Sequence, residues 1–175
     1  MTNTTLPQQT AIQAAAFKVA GDTYLSSSPI YRRLVVAIAD DSKMLKVASE
    51  VPSRESAPFL LLSAVHTLLQ TNTSHPLAQF FPTVSGQAHS LGNIYAPFRD
   101  FVKRNTPVIQ ALIRDSHVNK TVVRRSACLR SMLVQCAQKC GWQRLHLVDI
   151  GHSAGLNLLL DQWRINYIGY GAVGP

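Results

Sequence analysis

The stretch Val148-Asp149-Ile150-Gly151-His152-Ser153-Ala154-Gly155-Leu156 places an acid, two glycines, a histidine and a serine directly behind an apolar run. Glycines between a strand and a helix let a ligand approach the backbone, and the helix N-terminus adds partial positive charge. Three chemistries use such a turn. A dinucleotide fingerprint needs G-x-G-x-x-G; here Ser153 replaces the second glycine and the third comes one place early, which argues against NAD or FAD. A serine nucleophile elbow needs G-x-S-x-G, and Gly151 to Gly155 matches it letter for letter. In that fold the acid and the histidine follow the serine, yet no His follows Ser153, so the base would have to be His146 or His152 upstream. An adenosylmethionine loop needs an apolar strand, an acid and then G-x-G-x-G, matched by Asp149, Gly151, Ser153 and Gly155 with serine at the middle position. The plain alternative is that both glycines serve only the turn and the helix packing.

Other reactive side chains weigh toward structure. His66 sits on an apolar helix, where a packing histidine is commoner than a ligand. His75 precedes Pro76 and reads as a helix-start residue. Cys136 and Cys140 lie one helical turn apart, but a zinc site needs four ligands and no second pair has matching spacing, so buried or half-buried thiols and no metal are expected. Lys120, Arg124, Arg125, Arg130 and Lys139 make a basic helix. No nucleic-acid-binding signature stands beside it, so a solvated face is favoured over a nucleic-acid partner.

The elements that must position these residues are mostly helical. A polar tail, 1–7, precedes a helix from Gln8 in which Ile12, Ala15, Ala16 and Val19 share a face up to Gly21. Ser28-Pro29 starts a second helix, and Asp41 or Ser42 caps a third through Met44, Leu45 and Ala48. Phe59 to Leu69, apolar almost all round, reads as the central buried helix. His75-Pro76 opens a short helix ending near Phe81, and Thr83 to Asn93 reads as loop. Pro97–Arg104 and Pro107–Arg114 form one bent helix or two. Thr121 to Lys139 is a long helix closed by Gly141. The period then changes: Leu145 to Ile150 reads as a strand, Leu156 to Trp163 as a helix and Tyr167 to Pro175 as loop.

The chain has 175 residues and a formal net charge of +8, which suits one ordinary domain with a solvated basic face or an acidic partner. Three cysteines without a secretion signal read as reduced thiols of a cytoplasmic protein. The apolar stretch near Phe59 is broken by Ser63, His66 and Thr67, so no membrane span is expected.

Several segments together carry a family resemblance: Ser28-Pro29-Ile30-Tyr31 with Ile38-Ala39-Asp40-Asp41, Leu60 to His66, His75 to Pro82, Phe98-Arg99-Asp100-Phe101, and Val148 to Leu159. With these the chain resembles a bacterial family known as domain of unknown function 2332. The resemblance implies a helical N-terminal region followed by a methyltransferase-like Rossmann domain and no known reaction; the loop's own likeness to methyltransferases implies S-adenosylmethionine as cofactor. Asp149, Gly151, Ser153, Gly155 and Asn157 would bind it. The loop would pack under the sugar and amino-acid portion, with the acid near the ammonium. Two departures matter. Relatives are longer, so most of the Rossmann sheet would lie beyond Pro175. They also carry an Asn-Glu pair before an Arg, where this chain has Thr121-Val122-Val123-Arg124-Arg125 and only Arg125 matches.

The expected fold is mainly α. It comprises a flexible tail over 1–7, a helical domain over 8–141, and over 142–175 the first βα unit of a truncated Rossmann-like α/β domain. The expected function is that of an uncharacterised, methyltransferase-like relative that is not catalytic alone. The alternatives are a non-catalytic helical binding module with a basic surface and a serine hydrolase using Ser153. A lone strand leaves backbone groups unpaired, so self-association through it is a further expectation.

Overall fold

The computed structural model describes residues 6–87, 90, 92–118, 122–151 and 153–175. The chain divides into two compact units, Met1–Val118 and Asn119–Pro175. The change of sequence period points to a boundary at Gly141, but the long helix before it groups with the C-terminal segment.

In the first unit α1 (Leu6–Asp22) packs along α2 (Pro29–Ala39), followed by α3 (Ser42–Ala48) and α4 (Ala57–Gln70). A single 3-10 turn, Ala78–Phe80, leads to the short α5 (Pro82–Ser85), then α6 (Tyr95–Arg104) and α7 (Thr106–Asp115). The tail expectation falls largely on residues 1–5, outside the described residues; α1 begins at Leu6. Pro29 fixes the first turn of α2 after the extended Ser28. The Asp41 carboxylate accepts from the Lys43 and Met44 amides at 2.9 and 3.3 Å, satisfying two donors at the start of α3 that have no helical partner. Pro107 seeds α7, and the chain turns at Asn105, so two helices form rather than one bent helix. Thr83 to Ser85, expected as loop, continues α5 from Pro82.

Helix α4 contacts α1, α3 and α7 and buries Leu60, Leu61, Leu62, Ala64, Val65 and Leu69. Phe17, Leu34, Ile38, Met44, Phe98, Phe101, Ile109 and Ile113 close one continuous core around it. Burying each such side chain stabilises by about 1.5–3 kcal/mol before chain entropy is counted, so this core dominates the unit. Among the described residues no helix is long and apolar enough to cross a membrane.

The second unit departs from expectation. Helix α8 (Arg125–Cys140) ends as expected at Gly141, whose left-handed backbone (φ +68°) suits glycine. Its expected start at Thr121 lies outside the described residues. Leu145 to Ile150 forms no strand, because no other segment offers it a ladder; Val148 and Ile150 are 84% and 94% exposed. The expected helix after Gly155 is a single 3-10 turn, Leu156–Leu159. The expected C-terminal loop instead holds an antiparallel hairpin, β1 (Ile165–Tyr167) and β2 (Gly171–Val173), with Ile165 opposite Val173. Among the described residues the fold is therefore mainly helical with one two-stranded antiparallel sheet. Among the described residues of this unit only Ser126 and Leu160 are buried.

Candidate functional site

In the second unit the turn takes the backbone its glycines allow. Gly151 and Gly155 have φ of +76° and +67°, left-handed values that strain any residue with a Cβ. Asp149 and Asn157, on either side of the turn, line one cavity of about 280 Å³. Arg125, at the start of α8, lines it too, with Leu129, Leu133 and Leu147 among its apolar walls. The Ser126 hydroxyl donates to Asn157 Oδ1 at 2.9 Å, which fixes the amide and leaves its nitrogen to donate elsewhere. A second cavity of about 560 Å³ shares Leu133, Leu147, Leu158 and Leu160 with the first and continues to His146 and Asp161. Of the five residues expected to bind a cofactor, Asp149 and Asn157 thus share a cavity, Gly151 and Gly155 shape the turn, and Ser153 lies half-buried within it. Arg125 is exposed, as expected of the basic helix, and it also lines this cavity, which nothing in its local spacing indicates.

The remaining sequence candidates resolve differently. His146 lines the larger cavity, and His152 lies outside the described residues. All three cysteines are exposed, contrary to the expectation of buried thiols, because α8 buries almost none of its surface. Among the described residues no group of three or more His, Cys, Asp or Glu could hold a metal ion. Arg124, Arg125 and Lys139 are exposed, as a solvated face requires, whereas the half-buried Arg130 donates to the carbonyls of Trp163 and Leu160 at 2.8 and 3.4 Å. Lys120 lies outside the described residues.

In the first unit, motif residues from distant segments meet in pairs. Asp41 Oδ2 accepts from Arg99 Nε at 2.6 Å and from the Tyr95 hydroxyl at 2.9 Å. Burial disfavours the ionised Asp41, but the donors from Arg99, Tyr95, Met44 and Lys43 outweigh it and hold the carboxyl below its usual range. Burial and the Asp41 carboxylate push the Tyr95 phenol far up. The Leu77 amide donates to His75 Nδ1 at 3.1 Å, so the ring proton sits on Nε2, which reaches Asp100 at 3.3 Å. With both nitrogens occupied, His75 is a clasp and not a free base. The Arg104 donor first, and then His75, lowers the Asp100 carboxyl. His66 Nε2 and the Thr83 hydroxyl hydrogen-bond at 2.7 Å, the ring stacks on Phe81, and burial lowers its pKa. His66 is thus a packing residue, as the sequence suggests, whereas His75, expected to open a helix, is a clasp in a bend, and the 3-10 turn begins only at Ala78.

A family model described as "Uncharacterized protein conserved in bacteria (DUF2332)" matches residues 14–175. No curated protein and no solved structure matches the chain significantly.

Proposed function

The chain belongs to the DUF2332 family of bacterial proteins, and on that premise we propose that its second unit is a binding module for adenosylmethionine, with Asp149, Asn157, Arg125 and the Gly151–Gly155 turn as the site. One observation carries the reading. Arg125 and Asp149 line the same cavity, carry opposite charges, and make no ion pair with each other or with any other described residue. The amino-acid end of adenosylmethionine presents a carboxylate and an ammonium close together. A guanidinium complements the first, a carboxylate the second, and the Asn157 amide adds a donor. The likeness of the loop to that of methyltransferases favours adenosylmethionine over a free amino acid. The adjoining cavity, lined by leucines together with Arg130, His146 and Asp161, offers room for a nucleoside. These residues bind and orient; turnover is not assigned to them.

Isothermal titration calorimetry of the full chain with adenosylmethionine tests the reading. Saturable binding is expected, and Arg125→Gln and Asp149→Asn should each weaken it about tenfold, the loss of one charge-assisted contact. No heat at millimolar ligand, or equal affinity in both variants, refutes it.

A further inference from the structure

A further cavity lies in the first unit, and none of its lining residues belongs to the proposed adenosylmethionine site. It has a volume of about 360 Å³ and runs between α2 and α4. Leu25 and Leu62 form its apolar floor, Tyr31 and Phe59 its aromatic walls, and Ser63 and His66 part of its polar edge. No lining residue is an acid, a lysine or an arginine.

Three features separate it from a mere packing gap. The Tyr31 ring is held edge-on against Phe81, with centroids 6.0 Å apart, yet its hydroxyl bonds to no described residue. Among the described residues no buried side-chain oxygen lacks a partner, so the Tyr31 hydroxyl reaches solvent, where a ligand's polar group can replace water. His66 is pinned from behind by Thr83 and Phe81, so its ring holds one orientation. Ser63 lies exposed at the mouth, where a small side chain keeps the opening clear.

We propose that this groove binds a small uncharged aromatic molecule that carries a hydroxyl or similar hydrogen-bonding group on its ring edge. The ring lies against Phe59 and over Leu62, and the polar group exchanges a hydrogen bond with the Tyr31 hydroxyl. Offset and edge-on ring contacts favour a flat ligand over an aliphatic one of equal area. The volume is at the small end of ligand pockets, which limits the ligand to one or two rings. Charge is disfavoured because the half-buried lining offers no counter-ion. Burial pulls the His66 pKa down, so the imidazole is neutral at pH 7.

The test uses 4-fluorophenol as probe and ¹⁹F NMR of the full chain. A saturable shift in the millimolar range is expected. Tyr31→Phe keeps the packing and removes the hydroxyl; it should weaken the probe about threefold to tenfold while leaving fluorobenzene unchanged. Ser63→Trp fills the mouth and should abolish the shift for both probes, with far-UV circular dichroism confirming the fold. 4-Fluorobenzoate should bind at least about tenfold more weakly than 4-fluorophenol. No saturable shift, undiminished binding in either variant against 4-fluorophenol, or equal binding of the benzoate overturns the proposal.

Discussion

Replacing Asp41 with alanine should cost the first unit about 3 kcal/mol, and the structure apportions the loss. The carboxylate caps α3 through the Lys43 and Met44 amides, a contact worth about 1 kcal/mol. The hydrogen bond from Tyr95 to an ionised acceptor contributes about 1.5 kcal/mol. The Arg99 side chain is 35% exposed, so solvent screening limits that pair to about 0.5 kcal/mol. Asp41→Asn keeps one capping oxygen and loses the charge, so it should cost about half as much. Far-UV circular dichroism in urea is the assay. Both tryptophans, Trp142 and Trp163, belong to the second unit, and their fluorescence would miss this transition. The midpoint should fall by about 1–2 M for the alanine variant. The pH dependence has a definite sign. Asp41 titrates below its unfolded value of 3.8, so its stabilisation is fully present above that pH. It is lost as pH falls through the lower folded value. The gap between wild type and Asp41→Asn should therefore hold at pH 5–7 and close in stronger acid. An alanine variant within about 0.5 kcal/mol of wild type, or a gap that widens on acidification, refutes the reasoning.

Three further outcomes follow from other contacts. His75→Phe keeps the edge contact with Phe101 but strands the Leu77 amide, and urea melts should show a loss of about 1–3 kcal/mol. Gly174 has φ +110°, and a Cβ there would meet the Trp163 carbonyl, so Gly174→Ala should unseat β2 and change Trp163 fluorescence. All three thiols are exposed, and Ellman's reagent should titrate three equivalents without denaturant; fewer would mean that α8 is covered.

Local signals in the sequence read well where the physics is local. Asp41 and Gly141 mark helix ends through contacts within a few residues, and Pro29 marks one by its fixed backbone after a Ser28 that makes no side-chain cap. The Phe59–Leu69 run reads as a buried helix because its composition leaves little polar surface, and α4 is central in its unit. The Leu145–Ile150 run misled for the opposite reason. Its apolar composition suits a buried strand, but a strand exists only where a second strand accepts its hydrogen bonds. The hairpin Ile165–Val173 was missed because Gly169, Gly171 and Gly174 mask a very short pairing. The Asp41–Arg99 pair and the cavity shared by Arg125 and Asp149 were legible only as residue types. Each joins segments far apart in the chain, and spacing carries no information about which helices become neighbours.

The second unit is fastened by polar pegs. Arg130 holds the Leu160 and Trp163 carbonyls, the Tyr167 hydroxyl donates to the Ala127 carbonyl at 2.7 Å, and Ser126 holds Asn157. Apolar exposure raises the heat capacity of unfolding and polar exposure lowers it. The Leu, Ile and Phe core of the first unit therefore gives a strongly curved stability profile with a summit near ambient temperature. The second unit, with little apolar surface to release, melts along a nearly straight one. Cooling that erodes the first unit's margin strengthens the second, so the order in which the two loosen depends on the temperature.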